Sequence, residues 1–302
     1  MVIKYRNGNV NVSIDTNTGT KIRDWEGNQL VEFPESLDVK ITNYCDLGCP
    51  YCHEMSDKRG EHSNLDELFS KISCLPKGIE LAIGGGNPLS HPELPGFLRR
   101  CKSHGYISNI TINQKHLEDS NYFYMISDLL RRELVTGLGI SFDKNTSTEN
   151  IGYLQKYTDN IVIHVICGVH SIMDIHKLYD LQYKKILVLG YKSVGRGKEY
   201  EINNDVKLVI DEWYKKINEV ISKVDCISFD NLSIDQLRVK RLFTDDKWRE
   251  LYQGDDFTIS MYVDAVNKEF APTSRSNKED RVSWNSIDLI SYFKSNHVKE
   301  HN

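Results

Sequence analysis

The chain has 302 residues, a formal net charge of −5 at pH 7 and a hydrophobic fraction of 39%, which suits one large domain with a small appendage. This slightly acidic balance gives no support to a broad nucleic-acid-binding surface. No apolar run reaches the ~20 residues of a membrane-spanning helix and the first residues lack a signal-peptide core, so we expect a cytoplasmic protein with no membrane segment.

The cysteines are distributed unevenly. Of seven, three fall between positions 45 and 52, and the other four are scattered singly at Cys74, Cys101, Cys167 and Cys226. An odd number with one tight group is typical of a reduced compartment and one metal or redox site. A disulfide framework is not indicated.

Residues 1–36 predict a small β-hairpin element. Polar and apolar positions alternate there around three turn signals, Asn7-Gly8, Thr18-Gly19 and Glu26-Gly27. Such alternation is typical of short antiparallel strands joined by tight turns.

From residue 37 onward, six short strands alternate with helices. The predicted strands cover residues 37–42, 80–84, 109–113, 137–142, 161–166 and 185–189. Apolar residues at helical spacing follow each strand, and the sixth helix covers 206–224. Strict alternation implies right-handed crossovers and a parallel sheet covered by helices. We therefore predict an α/β fold with a partial (βα)6 TIM-like barrel over residues 37–226.

The remaining residues, 227–302, predict a short C-terminal α/β extension. The pattern indicates a short strand, a helix near Leu237, a hairpin over 257–270 and a last helix over 287–293, with a polar loop at 273–280. Two further strand-helix units that would close an eight-unit barrel are not evident. We expect the hairpin, which turns at Asn267-Lys268, to cover the open side or the mouth of the barrel.

A C-x3-C-x2-C motif follows the first barrel strand and contains Cys45, Cys49 and Cys52. Three thiolates on one loop can hold three irons of a four-iron, four-sulfur (4Fe-4S) cluster and leave the fourth iron open. Other interpretations remain: Cys49-Pro-Tyr-Cys52 is also a glutaredoxin redox sequence, and the last two cysteines with His53 match a c-type haem attachment site. Zinc bound by the three cysteines and His53 is a further alternative.

The motif, with the aromatic Tyr51 just before its last cysteine, resembles that of the radical S-adenosylmethionine (SAM) superfamily. The resemblance implies a 4Fe-4S cluster on Cys45, Cys49 and Cys52, with SAM chelating the open iron. It further implies that electron transfer cleaves SAM to methionine and a 5′-deoxyadenosyl radical. A flavodoxin- or ferredoxin-type electron donor is implied as well, and Tyr51 is expected near the adenine.

A glycine-rich segment ends the second barrel strand. Gly84-Gly85-Gly86-Asn87-Pro88 resembles the family's GGEP motif, whose backbone carbonyls accept hydrogen bonds from the SAM ammonium group. Asn87 stands in place of the usual glutamate. An amide oxygen accepts without charge assistance, so we predict a weaker contact and expect Asn87→Glu to preserve or tighten SAM binding.

Later strand ends supply further SAM contacts under the same resemblance. Asn113 and Ser141, which end the third and fourth strands, are expected at the SAM carboxylate or ribose. The fifth strand resembles a degenerate GxIxGxxE motif that places Ile166 against adenine, with His164 and Ser171 replacing its first glycine and its glutamate. Ordinary strand capping explains Asn113 and Ser141 nearly as well, and the fifth-strand motif is supporting evidence only.

The loop after the sixth strand contains candidate substrate contacts. Lys192 and Arg196 could hold a carboxylate or phosphate of the substrate, although a solvated loop is an equal alternative. His170 is a candidate for proton transfer, and Cys167 is expected to be a buried apolar residue. Because no cysteine group follows this strand, we predict a single cluster and favour substrates other than those of peptide-modifying relatives with auxiliary clusters.

The sequence thus predicts a radical SAM enzyme that abstracts a hydrogen atom from an unidentified small-molecule or peptide substrate. Two other functions remain open. One is an activase that installs a glycyl radical on a partner protein. The other is a non-enzymatic protein in which zinc pins the cysteine loop.

Overall fold

Two separate β-sheets organise the described residues, 2–15 and 20–297, of the computed structural model. The smaller sheet is antiparallel and consists of β1 (Val2–Asn7), β2 (Val10–Asp15) and β3 (Lys21–Asp24). Gly8 joins β1 to β2 with a φ of 60°, a conformation that suits glycine, so the hairpin predicted there is confirmed. The predicted Thr18-Gly19 turn lies outside the described residues.

The larger sheet has ten strands. Along the chain they are β4 (Ser36–Thr42), β5 (Glu80–Gly85), β6 (Ile107–Asn113), β7 (Gly137–Ser141), β8 (Ile161–Ile166), β9 (Lys185–Leu189), β10 (Cys226–Phe229), β11 (Ser260–Asp264), β12 (Glu269–Ala271) and β13 (Val282–Ser283). Their spatial order is β10-β9-β8-β7-β6-β5-β4-β11-β12-β13, and the strands from β10 to β11 are parallel. Among the described strands β10 and β13 do not pair, so the barrel is open and the predicted partial-barrel fold is confirmed.

The described residues form ten helices, several of which pack against the outer face of this sheet. They are α1 (Leu65–Ile72), α2 (Leu94–His104), α3 (Ser120–Arg131), α4 (Glu149–Leu154), α5 (Ile172–Ile175), α6 (Gly197–Asn203), α7 (Val206–Ile221), α8 (Asn231–Leu237), α9 (Asp245–Leu251) and α10 (Leu289–His297). Side-chain caps start several of them; Asp119, for example, accepts hydrogen bonds from the first amides of α3. None of the helices in the described ranges has the length and apolarity that crossing a bilayer demands.

The C-terminal residues join the sheet at both edges. β10 pairs with β9 as a seventh parallel strand, and β11 pairs in parallel with β4, placing Met261 beside Leu37. The predicted hairpin forms from β11 and β12, and it extends the sheet beyond β4. The backbone groups on the free edge of β4 explain this placement, because β11 satisfies their hydrogen bonds.

Alternation along the strands separates a packed outer face from a hollow inner face. On β8, Ile161, Ile163 and Val165 are buried in the core beneath the helices, whereas His164 and Ile166 line an interior cavity. This period of two is the ordinary consequence of strand geometry. On β8 it places the polar His164 inside the barrel.

Candidate metal and cofactor site

A cavity of about 310 Å³ opens at the carboxyl ends of the barrel strands. The last residues of five consecutive strands line it: Gly85, Asn113, Ser141, Ile166 and Leu189. This is the end at which α/β barrels gather their ligand contacts. The strand ends that were predicted to meet at one site therefore do so.

The cysteine loop forms part of the cavity wall. Cys45, Cys49 and Cys52 all line the cavity as half-buried free thiols. Burial, together with the neighbouring thiolates of Cys45 and Cys52, raises the pKa of Cys49 to about 11. Burial likewise raises the pKa of Cys45. Ionised thiols gathered here require a positively charged centre, which an iron-sulfur cluster or a metal ion provides.

The number of available ligands bears on the choice between a cluster and a single zinc ion. Zinc needs four nitrogen or sulfur ligands, whereas a cubane with one open iron needs three thiolates, each bound to a different iron. His53, the fourth zinc ligand considered above, directs its Nε2 to Lys192 at 3.3 Å and to Glu54 at 3.5 Å. The donor set fits the cluster better than zinc.

A second group of metal-type ligand atoms lies beside the loop. Cys45, Asp46 and His116 have ligand atoms within 4.8 Å of one another. His116 is buried, and its Nε2 lies 3.0 Å from Asp46 Oδ1, which is hydrogen-bonding distance. We interpret this group as a hydrogen-bonded pair that steadies the cysteine loop, because its only thiol belongs to the cluster motif.

The two glycines predicted to contact SAM serve first to dock the segment after β5 against the cysteine loop. A Cβ atom on Gly85 or Gly86 would collide with the backbone oxygens of Thr42 or Tyr44, respectively. The amide of Gly86 donates to Thr42 O at 2.8 Å, and the amide of Asn87 donates to Tyr44 O at 2.7 Å. Both glycines also line the cavity, where their backbone is available to a ligand.

Asn87 and Pro88 differ from their predicted placement. Both are buried, and neither lines the cavity. Asn87 Oδ1 accepts a hydrogen bond from the Leu89 amide at 3.1 Å, and its Nδ2 donates to Asp46 Oδ1 at 3.5 Å. The short 3₁₀ turn Pro88–Ser90 needs an acceptor at its start, which explains why the side chain turns away from the predicted SAM contact.

The other predicted SAM contacts line the cavity. Asn113 directs its Nδ2 to within 3.9 Å of Cys49 Sγ. Tyr51 meets the ring of His170 edge-on at 6.5 Å, and His170 Nδ1 accepts a hydrogen bond from the Ile166 amide at 3.0 Å. Burial lowers the pKa of His170 to about 4, so the imidazole is neutral at pH 7.

The two predicted substrate cations take different places. Lys192 lines the cavity and donates from Nζ to Ser274 Oγ at 2.8 Å. Arg196 is absent from the cavity wall among the described residues and donates instead to backbone carbonyls of the cysteine loop, to Cys49 O and to Ser56 O, each at 2.9 Å. The loop after β9 thus braces the cysteine loop through Arg196, which contrasts with the predicted substrate contact.

Sequence reasoning missed a buried charge network behind the cysteine loop. Lys40 Nζ lies 2.8 Å from Glu54 Oε2 and 3.0 Å from Asp264 Oδ2, and Tyr262 OH donates to Glu54 Oε1 at 3.0 Å. Asp38, two residues before Lys40, also lines the cavity. Polar residues at alternate positions of an otherwise apolar strand were the available signal, because they indicate an inner face that is not packed.

Comparison with known proteins supports the fold. No family model matches the sequence. Streptococcus suis SuiB bound to S-adenosylmethionine superposes with a TM-score of 0.64 at 13% identity, over 96% of this chain and 86% of that one. SuiB bound to its precursor peptide SuiA gives a TM-score of 0.59 at 15% identity, over 87% and 65% of the two chains. At these identities the likeness establishes a shared fold.

Proposed function

We propose that the chain is a radical SAM enzyme. One observation carries the proposal: three thiols of a C-x3-C-x2-C loop and the last residues of five parallel strands enclose the same cavity. A cluster-bound cofactor at the loop would therefore lie across the strand ends. The SAM-bound SuiB structure supports the proposal, since a protein of this fold binds that cofactor.

In this function Cys45, Cys49 and Cys52 would hold a 4Fe-4S cluster. When bound and reduced, the cluster would supply the electron that cleaves SAM and generates the 5′-deoxyadenosyl radical. The chain's own residues hold and enclose the reactants. Gly85 and Gly86 offer backbone groups at the cavity wall, whereas Pro88 and Asn87 fix the turn behind them.

The remaining SAM contacts follow from the cavity lining. Asn113 and Ser141 present polar side chains at the ends of β6 and β7, and Ile166 and Tyr51 present apolar surface suited to an adenine ring. Cavity walls of this kind also exclude water from a reactive intermediate. A flavodoxin- or ferredoxin-type protein is the proposed electron donor.

The proposed substrate is a small molecule or a peptide. SuiB has been crystallised with a precursor peptide, which favours a peptide for a chain of the same fold. One observation argues against a peptide substrate. The described residues beyond β10 contain no cysteine group that could hold a second cluster. We also propose the division at residues 36 and 226 into a leading β element, the barrel and the C-terminal extension.

The test is anaerobic reconstitution with iron and sulfide, reduction with dithionite, and chromatography for 5′-deoxyadenosine after SAM is added. We expect about four irons per chain and 5′-deoxyadenosine formation. Both should be lost when Cys45, Cys49 and Cys52 are replaced by alanine. The matched control replaces two exposed cysteines outside the cavity, Cys74 and Cys226, and should retain both. A folded chain that binds zinc and cleaves no SAM would refute the proposal.

A further inference from the structure

Asp38 has an unusual position among the charged residues of the cavity. It is the one charged side chain of the cavity wall with no hydrogen bond or ion pair within the described part of the chain. The others are engaged: Lys40 with Glu54 and Asp264, and Lys192 with Ser274. The Asp38 side chain is exposed to this cavity, so its carboxylate is available to accept hydrogen bonds from a ligand that enters.

The neighbours of Asp38 do not neutralise it. Burial raises its pKa; the Lys192 ammonium counteracts this, and the carboxylates of Asp256 and Asp230 raise the pKa further. Asp256 is already paired with Arg275, and Asp230 accepts hydrogen bonds from two backbone amides at the start of α8 and after β9. Asp38 alone among these three carboxylates is left without a donor.

Space for a ligand exists directly beside Asp38. Its register neighbour on β5 is Ala82, which also lines the cavity, and the next inward position on β5 is Gly84. A Cβ atom added to Gly84 would have no neighbour closer than 4.0 Å. The small residues of β5 thus keep the cavity open from the cysteine loop inward to Asp38.

The opposite part of the wall adds a neutral acceptor. His164 on β8 lines the same cavity, and burial lowers its pKa to about 4, so it is an uncharged imidazole at pH 7. Gly139 makes room for this ring, because a Cβ there would lie 2.5 Å from His164 Cε1. A neutral imidazole and a carboxylate both accept hydrogen bonds, which suits a ligand rich in N–H donors.

We propose that Asp38 binds a protonated amine or a guanidinium group of the substrate inside the barrel. This inference rests on the proposed function, because it takes the cavity as the place where substrate and SAM meet. The bond is a charge-assisted hydrogen bond, which is stronger than a hydrogen bond between neutral groups. An anionic substrate group at this position would face repulsion from Asp38.

The test compares two probes of the same shape that differ in charge, n-butylamine and 1-butanol, by saturation-transfer NMR titration. At pH 7 the amine is protonated, as an alkylamine with a pKa near ~10.4 must be. The wild-type chain should bind n-butylamine roughly tenfold or more tightly than 1-butanol. In Asp38→Asn this preference should disappear, while the dissociation constant for SAM stays unchanged.

The matched control is Asp180→Asn, which removes an exposed carboxylate outside the cavity and should keep the preference for the amine. Asp38→Asn should not lower the melting temperature, because the exposed Asp38 carboxylate makes no hydrogen bond or ion pair in the described residues that the change would break. Equal binding of the two probes to the wild type, or an amine preference that survives in Asp38→Asn, would overturn the inference. The titration needs no SAM cleavage, so a chain that forms no 5′-deoxyadenosine but shows this preference would refute only the proposed function.

Discussion

Arg196 donates a hydrogen bond from its Nε to the backbone carbonyl of Cys49 across 2.9 Å. The contact joins the loop after β9 to the loop after β4. A second bond to Ser56 O makes the guanidinium bridge two points of the cysteine loop. The planar guanidinium presents several N–H donors in a fixed arrangement, which suits such a bridge.

Arg196→Met should therefore loosen the cysteine loop. Each hydrogen bond to a charged group contributes about 1.5–3 kcal/mol, so loss of two should release the loop from its present geometry. We expect faster loss of the brown cluster absorbance in air and at least roughly tenfold slower formation of 5′-deoxyadenosine. The control is Lys198→Met, an exposed cation two residues later, which should behave as the wild type. Equal behaviour of the two variants would show that the brace is dispensable.

Asn87→Glu should lower both the melting temperature and the affinity for SAM, contrary to the expectation from the motif alone. The new carboxylate would be buried beside Asp46, to which the Asn87 amide now donates. Two like charges in this position should cost about 1–3 kcal/mol, which lowers the melting temperature by several degrees. SAM affinity by titration should fall as well.

The matched control for this change is the double variant Asp46→Asn with Asn87→Glu. It restores one carboxylate and one amide at the contact, so we expect the melting temperature to recover most of the loss. A single variant that binds SAM more tightly than the wild type would support the original motif-based prediction.

The barrel was predictable because the local sequence of its strands is enough to identify them. The strands at 161–166 and 185–189 were predicted with the bounds that the structure shows, since alternating β-branched residues bounded by turns define them locally. The pairing of β11 with β4 has no local signal. It joins Met261 to Leu37, and only the free edge of β4 in the folded chain selects it.

The site was predictable to the extent that short motifs determine it. The spacing of Cys45, Cys49 and Cys52 was enough to predict that they form one site. The parallel topology was enough to predict that the polar strand ends lie beside it. The direction of a side chain depends on partners distant in sequence. Asn87 faces Asp46 and Arg196 faces Cys49 through contacts that no local pattern encodes.

His170 should make stability depend on pH. Burial lowers its pKa to about 4, below the value near ~6.5 of an exposed histidine. Between these values the unfolded chain binds a proton that the folded chain does not, so the free energy of unfolding should fall as the pH falls from about 6.5 to about 4. His170→Asn removes this titration and keeps an acceptor for the Ile166 amide.

Urea unfolding at pH 7 and at pH 5 checks this prediction. The difference in unfolding free energy between the two pH values should be smaller for His170→Asn than for the wild type. The control is His176→Asn, which changes a histidine outside the cavity and should leave the difference unaltered. An unchanged difference in His170→Asn would mean that His170 is not neutral in the folded chain.

Lys40→Met should be the most destabilising single change around the cavity. It leaves the buried carboxylates of Glu54 and Asp264 without their shared cation, and breaking a buried ion pair from one side costs about 3–5 kcal/mol. The control is Lys247→Met, which breaks an exposed pair with Glu250 and should cost less than about 1 kcal/mol. Thermal unfolding measures both. Because Glu54 lies two residues after Cys52, Lys40→Met should also lower the iron content after reconstitution. Equal melting temperatures for the two variants would show that the network does not stabilise the fold.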